Sequence, residues 1–221
     1  MIRAIVFDFD GLLVDTETPA LSAWQEIFVQ HGAELTLETW IDCVGRPQGS
    51  FDPCVHLEEL LGREIDRERV RGDSRELART LIAQEALRPG VSEWIDEASE
   101  MGLDLGIASS SRRAWVEEHL GRLGVLERFR TLVCYEDVPA HKPDPAPYRE
   151  ATDRLDVEPA ETIAVEDSSH GLQSAYDAGL WCVAVPNVVT RDSVADLGHV
   201  RLDSLASVSL TEVIRKIKTL G

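Results

Sequence analysis

Two aspartates separated by one residue, Asp8 and Asp10, stand directly after an apolar run and are followed at once by Gly11. Further along come three consecutive serines, Ser109, Ser110 and Ser111, then Lys142 in a loop, then the acidic pair Glu166 and Asp167. Four carboxylates cannot all be held ionised at close quarters without a cation, so Asp8, Asp10, Glu166 and Asp167 imply a metal where they converge. All-oxygen ligation favours Mg²⁺ or a similarly hard ion. The hydroxyls of the Ser109 group and the ammonium of Lys142 supply donors for an anion with several acceptor oxygens. Metal, lysine and hydroxyls beside a carboxylate make up the equipment of phosphoryl transfer, where positioning and charge neutralisation supply most of the catalysis. A carboxylate can itself be the nucleophile, giving an aspartyl phosphate.

These residues meet only if the elements carrying them share one edge. The apolar, β-rich runs at 2–7, 103–108, 131–134, 162–165 and 181–185 read as buried parallel strands. Helical patterns at 113–123, 145–155 and 172–178 lie between them. This alternation predicts an α/β fold with a doubly wound parallel sheet, whose ligands bind outside the carboxyl ends of the strands. Residues 16–88 break the pattern with amphipathic segments at 19–31, 37–43, 51–61 and 67–87, closed by Pro89-Gly90. The expected organisation is a core of residues 1–15 and 89–221 with an inserted helical cap at 16–88.

The chain has 221 residues, 40 acidic against 22 basic, for a formal charge of −18. A broad nucleic-acid face is excluded, because a polyphosphate would be repelled, and an anionic membrane surface is disfavoured for the same reason. No apolar run approaches the ~20 residues of a spanning helix, and none resembles an export signal, so the expectation is a cytoplasmic protein. The four cysteines are widely spaced and read as apolar packers. Of the three lysines, Lys216 and Lys218 read as part of a polar tail and Lys142 does not.

The segments Asp8-Phe9-Asp10-Gly11-Leu12-Leu13-Val14-Asp15-Thr16-Glu17, Ala108-Ser109-Ser110-Ser111, Lys142-Pro143-Asp144-Pro145 and Val165-Glu166-Asp167-Ser168-Ser169-His170-Gly171 resemble the four motifs of the haloacid dehalogenase superfamily in order, spacing and strand context. The resemblance runs from residue 4 to about 186. It implies that Asp8 is the nucleophile and Asp10 the general acid and base. It implies Mg²⁺ held by Asp8, the backbone carbonyl of Asp10 and Asp167, with Glu166 nearby. Ser109, Ser110 and Lys142 would bind the transferring phosphoryl group of a small phosphorylated substrate, and the default for a capped enzyme of this kind is a monomer.

Within the superfamily, Asp10 argues against dehalogenation, since a halide leaving group needs no general acid. The absence of any lysine from residues 16–88 excludes the Schiff-base mechanism of phosphonatases. The sequence is most similar to the β-phosphoglucomutase-like subgroup, with Thr16, the serine run and Glu166-Asp167-Ser168. The mutases of that group carry a hinge histidine where this chain has Ala20, which favours hydrolysis over a sugar phosphomutase. A phosphorylation-dependent signalling module is the alternative of another class, disfavoured by the paired aspartates and the cap.

Arg46, Arg112 and Thr16 are the candidates for reading the rest of the substrate, with a solvated loop arginine and a surface salt bridge as the plainer readings of the two arginines. Arg75 and Arg79 read as partners of Glu76 and neighbouring carboxylates, and His141 as a solvent-exposed loop residue. The five tryptophans read as core or cap packing, with Trp24 and Trp40 possible on the cap side of the pocket. Ser168 suits a helix N-cap rather than a serine triad.

Overall fold

Strand β1 (Ala4–Phe7) is buried along its whole length, as a strand covered on both faces must be. The computed structural model describes residues 1–44, 51–194 and 198–220. In it, β1 pairs in parallel with β2 (Asp104–Ala108) on one side and β4 (Thr162–Glu166) on the other. β3 (Thr131–Val133) lies outside β2, while β5 (Trp181–Ala184) and β6 (Val200–Arg201) lie outside β4. The sheet order is β3-β2-β1-β4-β5-β6, parallel throughout. This is the doubly wound α/β arrangement expected, and its order reverses at β1.

Side chains alternate across the sheet, so each strand feeds two cores. Ala4, Val6, Ala164, Cys182 and Ala184 pack against α7 (Ala146–Leu155) and α8 (Ser169–Asp177) through Tyr148, Ala151, Leu155, Leu172 and Ala175. Ile5, Phe7, Ile107, Ile163 and Val183 face α5 (Val91–Glu100), α6 (Arg113–Arg122) and α9 (Leu210–Lys218). Small residues dominate the first face and large ones the second, which fixes how closely each helical layer approaches.

Between β1 and α5 the chain forms α1 (Glu17–Gln30), α2 (Leu37–Val44), α3 (Pro53–Leu61) and α4 (Arg67–Ile82). These helices carry their own apolar cluster, centred on Leu21, Phe28, Leu35, Cys54, Leu57 and Val70. Local signals set their ends: the Asp52 side chain accepts from Cys54 N at 2.9 Å and Pro53 opens α3, which stops at Gly62.

One boundary and three elements differ from the sequence reading. α4 ends at Ile82 rather than near residue 87, because the Arg122 guanidinium donates to Ile82 O at 3.5 Å and Glu85 O at 2.8 Å, taking up carbonyls at the helix end. The chain then returns to the sheet, with Arg88 N bonded to Leu13 O at 2.9 Å. α5 and β6 are additional elements. The supposed polar tail is α9, started by a reciprocal Ser209–Glu212 capping box and buried through Leu210, Val213 and Ile217, with Lys216 and Lys218 on its outer face.

Trp94 is part of this core, its indole N–H donating to Leu205 O and Val208 O. Cys54, Cys134 and Cys182 are unpaired and buried, in keeping with a packing role. Among the described residues no helix is long and apolar enough to cross a membrane.

Candidate active site

Parallel register places the chemistry. Phe7 pairs with both Ile107 and Val165, so Asp8, the next residue, emerges level with the ends of β2 and β4. Asp8 N donates to Val165 O and Ser109 N to Val133 O, both at 2.9 Å, which extends the ladder up to the site itself. Asp8, Asp10, Ser109, Ser110, Ser111, Lys142 and Asp167 thereby line one cavity of about 710 Å³.

Lys142 holds the centre. Its Nζ lies 2.5 Å from Asp8 Oδ1 and 2.6 Å from Glu166 Oε1, with the ring of Tyr148 beneath it at 5.1 Å. Glu166 is fully buried; Oε1 also accepts from Tyr148 OH at 2.7 Å, and Oε2 from Asp167 N and the Ser168 hydroxyl, both at 3.2 Å. Its oxygens are thus occupied in fixing Lys142 and the turn into α8, where Ser168 forms the N-cap by accepting from Gly171 N at 3.1 Å. The Asp167 carboxylate is oriented from a fourth loop, by Asn187 Nδ2 at 2.6 Å from Oδ2. Asn187 is itself held, its Oδ1 accepting from Val189 N and Thr190 N.

Asp8, Glu166 and Asp167 each bring a carboxylate oxygen within 4.8 Å of the others. Gly11 closes against them in a left-handed conformation (φ 77°), where a Cβ would lie 2.4 Å from Asp167 Oδ2. Burial, only partly offset by Lys142 and reinforced by Glu166, pushes the Asp8 carboxyl up to about 8. Burial, with Asp8 and Glu166 beside it, also raises Asp167 well above the ordinary carboxylate range. Burial alone would lower the Lys142 ammonium, but Asp8 and Glu166 outweigh it and leave Lys142 raised. Three carboxylates around one ammonium make a site short of positive charge, and this donor set fits a hard divalent cation.

The Asp10 side chain is turned away from that cluster. Ser111 Oγ lies 2.6 Å and Ser109 Oγ 3.5 Å from its Oδ2, and Trp115 Nε1 donates to Oδ1 at 3.0 Å. Trp115 therefore belongs to the site as well as packing against the core. Ser110 is exposed at the cavity edge and Arg112 is exposed beside it, its guanidinium 5.8 Å from the Tyr135 ring. Thr16 is buried in the cavity wall, and its Oγ1 has no hydrogen-bond partner among the described residues. Glu17 shares that wall, and burial, with Asp10 and Asp15 nearby, pushes its carboxyl up to about 7.

Arg46 lies outside the described residues. Several secondary expectations change. His141 is half-buried and stacked on Tyr135 at 4.1 Å rather than solvent-exposed, because the loop folds its ring onto the aromatic face. Arg79 does pair with a neighbouring carboxylate, Glu118 of α6 at 3.3 Å, while Arg75 donates to Arg71 O one turn back, and among the described residues neither is paired with Glu76. Trp24 and Trp40 pack on the apolar cluster of α1–α4 and do not line this cavity.

Tyr148, Asn187, Trp115 and Glu17 are site residues the sequence reading passed over. Asn187 was accessible to the rule used for the others, since it follows β5 as Asp8 follows β1. Trp115 stands about one helical turn beyond the serines, a spacing that carries no signal without the setting of α6.

A strand-end aspartate pair, a lysine and an acidic pair around one cavity define a class of phosphoryl-handling enzyme, and the wider comparison agrees. The family model of the haloacid dehalogenase-like hydrolases matches residues 5–185. A Bacillus subtilis (strain 168) protein named "Putative phosphatase YhcW" is 40% identical over 210 residues, covering 95% of each chain. The "Phosphorylated carbohydrates phosphatase" of Thermotoga maritima is 28% identical over 181 residues, 81% of this chain and 82% of that one. The crystal structure of CbbY from Rhodobacter sphaeroides in complex with phosphate superposes with a TM-score of 0.73 at 30% identity, over 96% of this chain and 98% of the other. The chain belongs to the haloacid dehalogenase-like hydrolases. Within that family it is an enzyme of the phosphatase kind.

Proposed function

We propose that the protein hydrolyses the phosphate monoester of a small, hydroxyl-rich molecule, a sugar phosphate or a close analogue, through an aspartyl phosphate on Asp8. The observation that carries this reading is the pairing of Lys142 with Asp8 at 2.5 Å in the same cavity as the separately held Asp10 carboxylate. The relatives named for phosphatase activity, one of them on phosphorylated carbohydrates, support the substrate class.

In the first step an oxygen of Asp8 attacks phosphorus, the bond to the leaving oxygen breaks, and Asp10 gives its proton to that oxygen. In the second, Asp10 takes a proton from water, which attacks phosphorus. The bond to Asp8 breaks, releasing inorganic phosphate and regenerating the carboxylate. Lys142 keeps Asp8 aligned and faces the transferring group, while Ser109 and Ser110 donate to its oxygens. Asp8, Asp167 and the backbone carbonyl of Asp10 would hold Mg²⁺, with Glu166 behind them. The ion supplies the positive charge that lets an anionic ester approach an acidic cluster. Helices α1–α4 act as the cap, and Thr16 and Arg112 face the leaving group from the cavity wall.

Ala20 stands where the mutases of this group carry a histidine, so water competes for the aspartyl phosphate. The test is phosphate release from a panel of sugar phosphates and other monoesters with Mg²⁺. β-Glucose 1-phosphate with a trace of the 1,6-bisphosphate is included in the panel. Stoichiometric phosphate release is expected. Glucose 6-phosphate formed faster than phosphate would replace hydrolysis with a mutase, and a lasting phosphoprotein without release would replace it with a signalling role.

A further inference from the structure

We infer that Trp115 is a positioning residue for proton transfer: it fixes one oxygen of Asp10 so that the other carries the proton. The inference rests on the reading of Asp10 as general acid and base. The indole Nε1 lies 3.0 Å from Asp10 Oδ1, and the Ser111 hydroxyl lies 2.6 Å from Oδ2. These two neighbours differ in kind. An indole N–H can only donate, whereas a hydroxyl can donate or accept. A proton on Oδ1 would make that oxygen a poorer acceptor and weaken the indole bond. A proton on Oδ2 only reverses the Ser111 hydrogen bond, turning the hydroxyl from donor to acceptor, and leaves the Trp115 bond intact. Oδ2 is therefore the favoured oxygen for the proton. It is also the one that faces Ser109, 3.5 Å away, and so the phosphate-binding edge of the cavity.

The indole is placed to hold that orientation. Trp115 sits in the first turn of α6, its backbone N bonded to Arg112 O at 3.0 Å. Its ring packs edge-on against His119, one turn further on, at 4.1 Å. The buried His119 ring in turn lies 6.2 Å from Phe9, the residue between the two aspartates. Helix α6 is thereby keyed to the first loop through side chains, and its indole both walls the cavity and orders the acid.

The experiment compares kcat/KM for phenyl phosphate and 4-nitrophenyl phosphate, with Mg²⁺, in the wild type and in Trp115→Phe. That substitution keeps a ring against His119 and removes the N–H. kcat/KM reports steps up to cleavage of the ester bond, and nitrophenolate departs without needing a proton. With the fold intact by circular dichroism, kcat/KM for phenyl phosphate should fall about tenfold, part of the ~10²-fold or more that a positioned acid supplies. For the nitrophenyl ester it should change by less than about twofold. Ser111→Ala, which removes the other partner, should give the same bias and serves if Trp115→Phe does not fold. An equal fall for both esters, no change, or a gain would overturn the role given to Trp115. Asp10→Asn separates the two readings. If it shows no leaving-group bias, Asp10 is not the acid; if it does and Trp115→Phe does not, only the present inference fails.

Discussion

A divalent cation should protect this fold against heat, and the protection should depend on pH in a direction the site dictates. Asp8, Glu166 and Asp167 bring oxygens within 4.8 Å of one another around a single ammonium. Without metal, burial pushes the Asp8 carboxyl up to about 8 from its ordinary 3.8. The folded state therefore keeps a proton that the unfolded chain loses near pH 4. Between those values the metal-free fold binds the extra proton, so it loses stability as pH rises, by up to ~1.4 kcal/mol per unit, and levels off above pH 8. Mg²⁺ bound at this site would compete with that proton. Its affinity should rise at least about tenfold per unit between pH 6 and 8, the Asp167 proton adding to that of Asp8. At 100 times its dissociation constant the ion adds ~2.7 kcal/mol, which at ~2–4 °C per kcal/mol for a chain of this length is a rise of about 5–10 °C in Tm. At the same Mg²⁺ concentration and pH 6 most of that rise should vanish. Thermal melts with and without Mg²⁺ across this range, at matched ionic strength, make the measurement. Titration calorimetry in buffers of different ionisation enthalpy should show at least one proton released per ion near pH 7, since Asp167 is raised as well as Asp8. Equal protection at pH 6 and pH 8, or undiminished protection of Asp167→Asn, would refute the reasoning.

Asp8→Asn should abolish phosphate release, while Asp10→Asn should keep the Mg²⁺-dependent Tm rise but stall turnover; near-normal turnover by Asp8→Asn would remove it as nucleophile. Lys142→Met leaves Asp8 and Glu166 buried without their cation. Breaking such a pair costs ~3–5 kcal/mol, so its chemical denaturation midpoint should fall well below the wild type at pH 7, with no detectable activity. Gly90→Ala probes the fold instead. At φ 89° its new Cβ would lie 2.1 Å from Ala206 N, a clash with backbone rather than with a movable side chain. A loss of more than ~1 kcal/mol is expected in the same denaturation assay, with residual activity per folded molecule unchanged.

The motif residues were legible because a parallel sheet translates sequence into position almost rigidly. Once β1, β2 and β4 are recognised, register puts Asp8, Ser109 and Glu166 at one edge. Asn187 falls under the same logic through β5, whose following loop carries it to the same edge and onto Asp167. Trp115 and Tyr148 are different. Each sits on a helix, and which face of α6 or α7 meets the site depends on how that helix rotates against the sheet, a property of packing over many residues. α9 escaped for a third reason. Its buried Leu210, Val213 and Ile217 are separated by charged and polar residues, so a segment read by composition looks like a tail, while its period of three to four marks one face of a helix.

The net charge of −18 takes on a sharper meaning at the site. An acidic surface repels the anionic substrate that the cavity must admit, so the attraction has to be local. Lys142 provides it from within, buried between Asp8 and Glu166 and seated on the Tyr148 ring. Yet that ammonium is already shared by two carboxylates and cannot alone offset three. The same imbalance raises Asp8 and Asp167, and on the proposed mechanism it would make the metal-free Asp8 a poor nucleophile. A bound divalent cation would correct both defects in one event, by displacing the proton from Asp8 and neutralising the charge that the ammonium leaves uncompensated. If the proposed mechanism holds, metal binding, nucleophile activation and admission of the phosphate form one coupled equilibrium, and a substitution at any of Asp8, Lys142 or Asp167 should disturb all three together.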